Sequence, residues 1–128
     1  MSRVGPAQTD LAGSWQQLRD RHARVSSALE RALQEQHSIG LSEFEVLEQL
    51  ATTEDDHCRM QQLCGTTHLS QSALSRLIGR LEQDGLVTRT MCSDDRRGIY
   101  ASLTADGRAR YVQAKPTQRS VLAEQLDG

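Results

Sequence analysis

Between residues 10 and 36, apolar or semi-apolar side chains recur at Leu11, Trp15, Leu18, His22, Val25, Leu29, Ala32 and Gln36, with spacings that alternate four and three. That is the near-heptad stripe of one long helix with a single seam. At 1.5 Å per residue such a helix runs about 40 Å, more than a small domain covers, so a partner helix from a second subunit is the economical expectation. Gly40 breaks the stripe. Ser42 with Glu45 three residues on, flanked by Leu41 and Val46, predicts a capped and stapled second helix ending near Ala51. Polar, acidic Thr52 to His57 reads as a loop. A short helix is expected over Met60 to Thr67, then a turn at His68 and Leu69. Ser70 is placed to cap a helix over Gln71 to Asp84, with an apolar face of Leu74, Leu77, Ile78 and Leu81 and a closing glycine at Gly85.

Two short strands follow, Leu86 to Met91 and Ile99 to Leu103, joined by the polar run Ser93-Asp94-Asp95-Arg96-Arg97-Gly98, which suits a hairpin loop. Thr104 caps a helix from Ala105, with Asp106 favourably placed in its first turn. Pro116 is expected to interrupt it, leaving a last short helix to about Gln125. Two short helices joined by a tight turn and followed by a hairpin make a winged helix-turn-helix. The fold class is therefore mainly α with a small β-hairpin wing (α+β), carrying a helical dimerisation region. Within one continuous domain, residues 1–9 read as a disordered lead-in, 10–40 as an N-terminal dimerisation helix, 41–104 as the winged helix-turn-helix and 105–128 as C-terminal dimerisation helices.

Charge sharpens this picture by its distribution. The chain of 128 residues has a formal charge of only −2. From Ser70 to Arg110, however, seven arginines (76, 80, 89, 96, 97, 108 and 110) face five acids (Glu82, Asp84, Asp94, Asp95 and Asp106), so a basic segment sits on an acidic body. With aromatics at 3%, platforms for stacking single-stranded bases are not expected. No apolar run reads as a signal peptide or a membrane span. Three cysteines (Cys58, Cys64 and Cys92) make no disulfide framework, and a reducing cytoplasm fits. No Ser/His/Asp arrangement, phosphate-cradling glycine loop or carboxylate cluster suggests an enzyme.

The helix at 70–84 has the make-up of a DNA-reading helix. Its apolar side anchors it, while Ser70, Gln71, Ser72, Ser75, Arg76 and Arg80 face outward, where short polar groups and arginine forks suit bases and phosphates. An ordinary amphipathic surface helix has the same pattern. Arg96 and Arg97 sit at a tight turn beside Asp94 and Asp95. An arginine held there suits the focused negative potential of a minor groove; a solvated charged turn looks alike.

The run from Leu63 to Gly107 resembles the MarR family of winged helix-turn-helix regulators. The matching pieces are Leu63-Cys64, Ser70 to Glu82, Leu81-Glu82-Gln83-Asp84-Gly85-Leu86-Val87-Thr88-Arg89, Asp95-Arg96-Arg97 and Leu103-Thr104-Ala105-Asp106-Gly107. They recur in order with the family's gaps, and looser likeness extends over roughly residues 10–115. The resemblance implies a homodimer that binds double-stranded DNA at a pseudo-palindromic operator, most often as a repressor released by a small effector. By position it places Ser75 and Arg76 at the major groove and Arg97 in the minor groove, with Asp95 bracing Arg97.

The same resemblance implies a small phenolic or anionic effector bound between the dimer region and the DNA-binding lobe, and Trp15, Arg19 and His22 on the first helix are the candidates to line that cleft. Packing of the helix seam explains Trp15 and His22 equally. His57, Cys58, Cys64 and His68 do not follow a recognised zinc spacing, so no metal or other cofactor is expected. Cys64 falls at a small, buried position of the helix-turn-helix. Cys92, at the end of the first wing strand, is the more exposed thiol, which leaves a redox-responsive regulator as one alternative and a protein-docking winged helix as another.

Overall fold

The computed structural model describes residues 4–91 and 98–127, with side chains from residue 10 onward. The described residues form five α-helices and a three-stranded antiparallel sheet: α1 (Val4–His37), α2 (Leu41–Thr52), β1 (His57–Arg59), α3 (Met60–Thr67), α4 (Gln71–Gln83), β2 (Val87–Met91), β3 (Ile99–Leu103) and α5 (Ala105–Asp127). This is a winged helix-turn-helix held between two long helices. Among the described residues, no helix is long and apolar enough to cross a membrane.

The long first helix starts at Val4, not Asp10, so residues 4–9 belong to it rather than to a disordered lead-in. Pro6 lies in the first turn, where backbone N–H groups have no intrahelical acceptor and the missing N–H costs nothing. Among its described side chains, α1 enters the core toward its C-terminal end, through Leu29 and Leu33. Further back, Leu11, Trp15 and Leu18 remain 68%, 59% and 60% exposed.

The second helix is capped at Gly40 rather than Ser42. Two carboxylates draw the start back: Glu43 Oε1 accepts from the Gly40 N–H at 2.6 Å, and Glu30 Oε1 on α1 accepts from the Leu41 N–H at 2.8 Å. These satisfy orphan donors that a Ser42 hydroxyl would have served two residues later. Phe44, Val46, Leu47 and Leu50 then bury completely.

The stretch read as a loop holds a single 3-10 turn at Glu54–Asp56 and then the short strand β1. The strand order is β1-β3-β2, with His57, Cys58 and Arg59 opposite Ser102, Ala101 and Tyr100. β1 covers what would otherwise be a bare edge of β3. Arg59 Nε also donates to the Tyr100 hydroxyl at 3.1 Å.

Pro116 does not interrupt the last element: α5 runs unbroken from Ala105 to Asp127, one helix where two were expected. Pro116 and Val112, whose carbonyl loses its helical partner, both lie on the exposed side, so water can serve that carbonyl. The other side is fastened to α1 on both flanks of the proline. His37 Nε2 and Thr117 Oγ1 are 2.7 Å apart, and Arg110 Nη1 donates to the His37 carbonyl at 3.0 Å. Near the far end, Arg21 Nη2 donates to the Leu126 carbonyl at 2.9 Å.

Helix α5 also closes over α2. The Phe44 and Tyr111 rings lie 5.6 Å apart, and Glu48 Oε2 accepts from the Tyr111 hydroxyl and pairs with Arg119, each at 2.8 Å. At its start, Thr104 Oγ1 donates to the Gly85 carbonyl at 2.7 Å and accepts from the Gly107 N–H at 2.9 Å. The Thr104 N–H donates to the Leu86 carbonyl at 3.1 Å. One threonine thus caps α5 and fixes it to the corner that follows α4.

Candidate nucleic-acid interface

Helix α3 ends as expected at Thr67, and His68 makes the turn in the left-handed region at φ 60°, its N–H returning to the Cys64 carbonyl at 3.1 Å. Ser70 then caps α4: its Oγ accepts from the Ala73 N–H at 3.1 Å. Leu74, Leu77, Ile78 and Leu81 are buried, which fixes the rotation of the helix about its axis. At the other end, the Gly85 N–H reaches the Glu82 carbonyl at 3.0 Å and the Leu86 N–H reaches the Leu81 carbonyl at 2.9 Å. This pairing requires the positive φ of 76° that Gly85 supplies without strain.

With that rotation set, Ser70, Gln71, Ser72, Ser75, Arg76 and Arg80 all lie on the exposed side, the six positions expected from the sequence. An open groove of about 710 Å³ runs beside them, between α4 and the start of α2, lined in part by Ser42, Leu69, Arg76, Gly79 and Arg80. Such a face offers guanidinium forks, hydroxyls and an amide, with free backbone N–H groups at the helix start. The wing residues Asp95, Arg96 and Arg97, together with Cys92, lie outside the described residues.

One arginine of this region was not singled out by sequence reasoning. Arg89 shares one face of β2 with Val87 and Met91, and on that face its side chain leaves the sheet toward α4. Its Nη2 donates to the Ser75 carbonyl at 3.2 Å, and its Nε lies 3.4 Å from Glu82 Oε1. The period-two pattern of the strand contained the cue to this orientation.

The three effector candidates share one stripe of α1. The Arg19 guanidinium lies 5.9 Å from the centre of the Trp15 ring, while His22 Nε2 is 3.5 Å from Ser26 Oγ. A groove of about 430 Å³ on α1 is lined by Ser14, Gln17, Leu18, Asp20, Arg21 and Arg24, and so does not include the three candidates. Cys64 is half-buried against the core rather than fully buried. Cys58 is buried, donates to Gln62 Oε1 at 3.3 Å, and has its thiol pushed up by burial, which disfavours the reactive thiolate.

An electrostatic knot links α1 and α2 to the turn before α4. Burial pushes the Glu45 carboxyl above its ordinary value of 4.5, Glu48 pushes the same way, and His68 and His22 pull it back. A raised carboxyl favours folding only while protonated: its contribution is complete below the unfolded value and is lost as the pH climbs through the raised folded value. Glu45→Gln should therefore melt higher than the parent at pH 7, with the gap closing as the pH falls toward 4.5 and below. A gap that stays constant across that range, followed by circular dichroism, would assign the effect to packing instead.

Comparison with known proteins bears directly on this arrangement. A family model described as MarR family matches residues 37–98, which run from the last residue of α1 to the residue before β3. The HTH-type transcriptional repressor YetL of Bacillus subtilis is 29% identical over 90 residues, covering 69% of this chain and 54% of the relative. The chain thus spans about half the length of the curated relatives it matches. AbsC, a MarR family transcriptional regulator from Streptomyces coelicolor, superposes with a TM-score of 0.84 at 30% identity, over 89% of this chain and 76% of AbsC. Sco3205 from the same organism, solved in complex with DNA, superposes with a TM-score of 0.85 at 26% identity, over 93% of this chain and 73% of Sco3205. These relatives are transcriptional regulators rather than enzymes. The ordered motifs, the capped outward-facing α4 and the strength of these matches agree, and the chain belongs to the MarR family of transcriptional regulators.

Proposed function

We propose that the protein binds double-stranded DNA in the cytoplasm as a homodimer, occupies a pseudo-palindromic operator as a repressor, and is released by a small phenolic or anionic effector. The observation that carries this reading is the exposed face of α4, where Ser70, Gln71, Ser72, Ser75, Arg76 and Arg80 stand together on a helix locked by its apolar side. The dimer is supported by α1, whose Leu11, Trp15 and Leu18 form an apolar stripe that its own chain leaves exposed. A second copy laid along that stripe gives two copies of α4, expected to meet successive major grooves on one side of the duplex. Arg97, braced by Asp95, and its neighbour Arg96 supply the minor-groove contact that the family likeness implies. Trp15, Arg19 and His22 supply an aromatic face, a guanidinium and an imidazole for the effector, which acts by favouring a spacing of the two reading helices that no longer fits the operator.

Selection of bound duplexes from a random pool tests the reading. The expected product is an inverted repeat with half-sites about one helical turn apart, bound with an affinity that falls steeply with salt. Ser75→Ala and Arg76→Ala should each cost about 1–3 kcal/mol on the selected duplex and change base preference at particular positions. No enriched repeat, or a loss that is uniform across sequences, would count against direct reading by α4.

A further inference from the structure

We infer that Arg89 is the positioning residue of the reading helix: its guanidinium ties strand β2 to two turns of α4 and sets the angle at which Ser75 and Arg76 are presented. This inference rests on the DNA-reading role proposed for α4. Apolar packing fixes which side of α4 faces inward, but it resists sliding and small tilts only weakly, because leucine side chains meet without directional bonds. Directional restraint comes from hydrogen bonds, whose geometry is narrow.

Among the described residues, both polar side-chain links between α4 and the sheet belong to Arg89. Ser75 and Glu82 are seven positions apart, about two helical turns, so the two links hold the helix at separated points and oppose rotation as well as translation. The planar fork is suited to this, since one rigid group serves both contacts. Gly79 lies between the two points, and a Cβ built there would stand 4.0 Å from Arg89 Nη2, which places the guanidinium against the α4 surface midway between its two partners. That carbonyl belongs to a residue proposed to face the major groove, and Arg76 is the next in line. The Arg89–Glu82 pair is 31% and 37% exposed, a setting in which ion pairs add little to global stability. The contribution of Arg89 there is to geometry more than to folding stability.

Arg89→Lys separates position from charge, because lysine keeps the positive charge and loses the fork. The full-length chain, a duplex obtained by selection with the unsubstituted protein, and a scrambled duplex of equal length are the materials, with fluorescence anisotropy as the readout. We expect Arg89→Lys to bind the selected duplex about tenfold more weakly, to bind the scrambled duplex as the parent does, and to melt at the parent's temperature. Combined with Arg76→Ala, its effect should fall short of the product of the two single losses, since a mispositioned Arg76 has less to lose. Glu82→Gln, which removes the ionic arm alone, should give a smaller loss of the same kind and provides the test if Arg89→Lys folds poorly. Parent-like affinity of Arg89→Lys for the selected duplex, equal losses on both duplexes, or full multiplicativity with Arg76→Ala would overturn the inference. Failure of the unsubstituted chain to enrich any duplex would instead remove the reading on which it rests.

Discussion

Gly107→Ala should destabilise the protein by about 3 kcal/mol, enough to lower the melting temperature by roughly 10 °C. A Cβ at this position would lie 2.1 Å from the Leu86 carbonyl oxygen, 3.0 Å from the Leu86 carbonyl carbon and 2.8 Å from Leu103 Cδ1. Two of those atoms are backbone, so no side-chain rotation relieves the contact. The Leu86 carbonyl cannot retreat freely either, because it accepts from the Thr104 N–H at 3.1 Å. Either α5 lifts from the corner after α4 or that corner moves, and both choices break the Thr104 links. Gly65→Ala is the matched control. It also places an alanine in a helix, but nothing lies within 4 Å of the added atom, so it should be neutral or stabilise by up to about 1 kcal/mol. Thermal melting of both variants decides the matter, and equal melting temperatures would show that α5 does not approach Leu86 this closely.

Phe44→Ala should cost about 4 kcal/mol in chemical denaturation, with the large loss of cooperative stability that follows deletion of a central ring. Phe44 is wholly buried on α2 and stacks at a tilt against Tyr111 of α5. Its removal leaves a cavity and unseats the ring whose hydroxyl donates to Glu48. Burial, together with that hydrogen bond and the Glu48 charge, already holds the Tyr111 hydroxyl above its ordinary value of 10.0. Phe44→Leu, which keeps most of the volume, should recover more than half of the loss. A Phe44→Ala variant as stable as the parent would mean that α2 and α5 part readily, contrary to their packing here.

Much of this architecture is legible in the sequence because local chemistry and tertiary packing agree there. Helix α3, the Ser70 cap, the Gly85 closure and strand β3 fall where their residues indicate, since each depends on side chains within a few positions of the boundary. The discrepancies arise where distant groups decide. Strand β1 has only three residues, His57, Cys58 and Arg59, with no alternation to reveal it, and it forms because β3 has an edge to fill. The start of α2 moved because Glu30, eleven residues upstream, reaches the Leu41 N–H. Pro116 was tolerated because α1 holds α5 on both sides of it. The outward face of α4 was readable from its amphipathic period, but the purpose of Arg89 needed the sheet beside it. The stripe of Trp15, Arg19 and His22 was legible as a stripe, while the groove on α1 is lined by Ser14, Gln17, Leu18, Asp20, Arg21 and Arg24 instead.

The hydroxyl of Thr104 makes a hinge pin between the start of α5 and the corner that follows α4. A single oxygen is the cap of α5 on one side and the latch on Gly85 on the other. The long helix α5 and the outward-facing α4 therefore meet at a directional contact as well as through the apolar core they share.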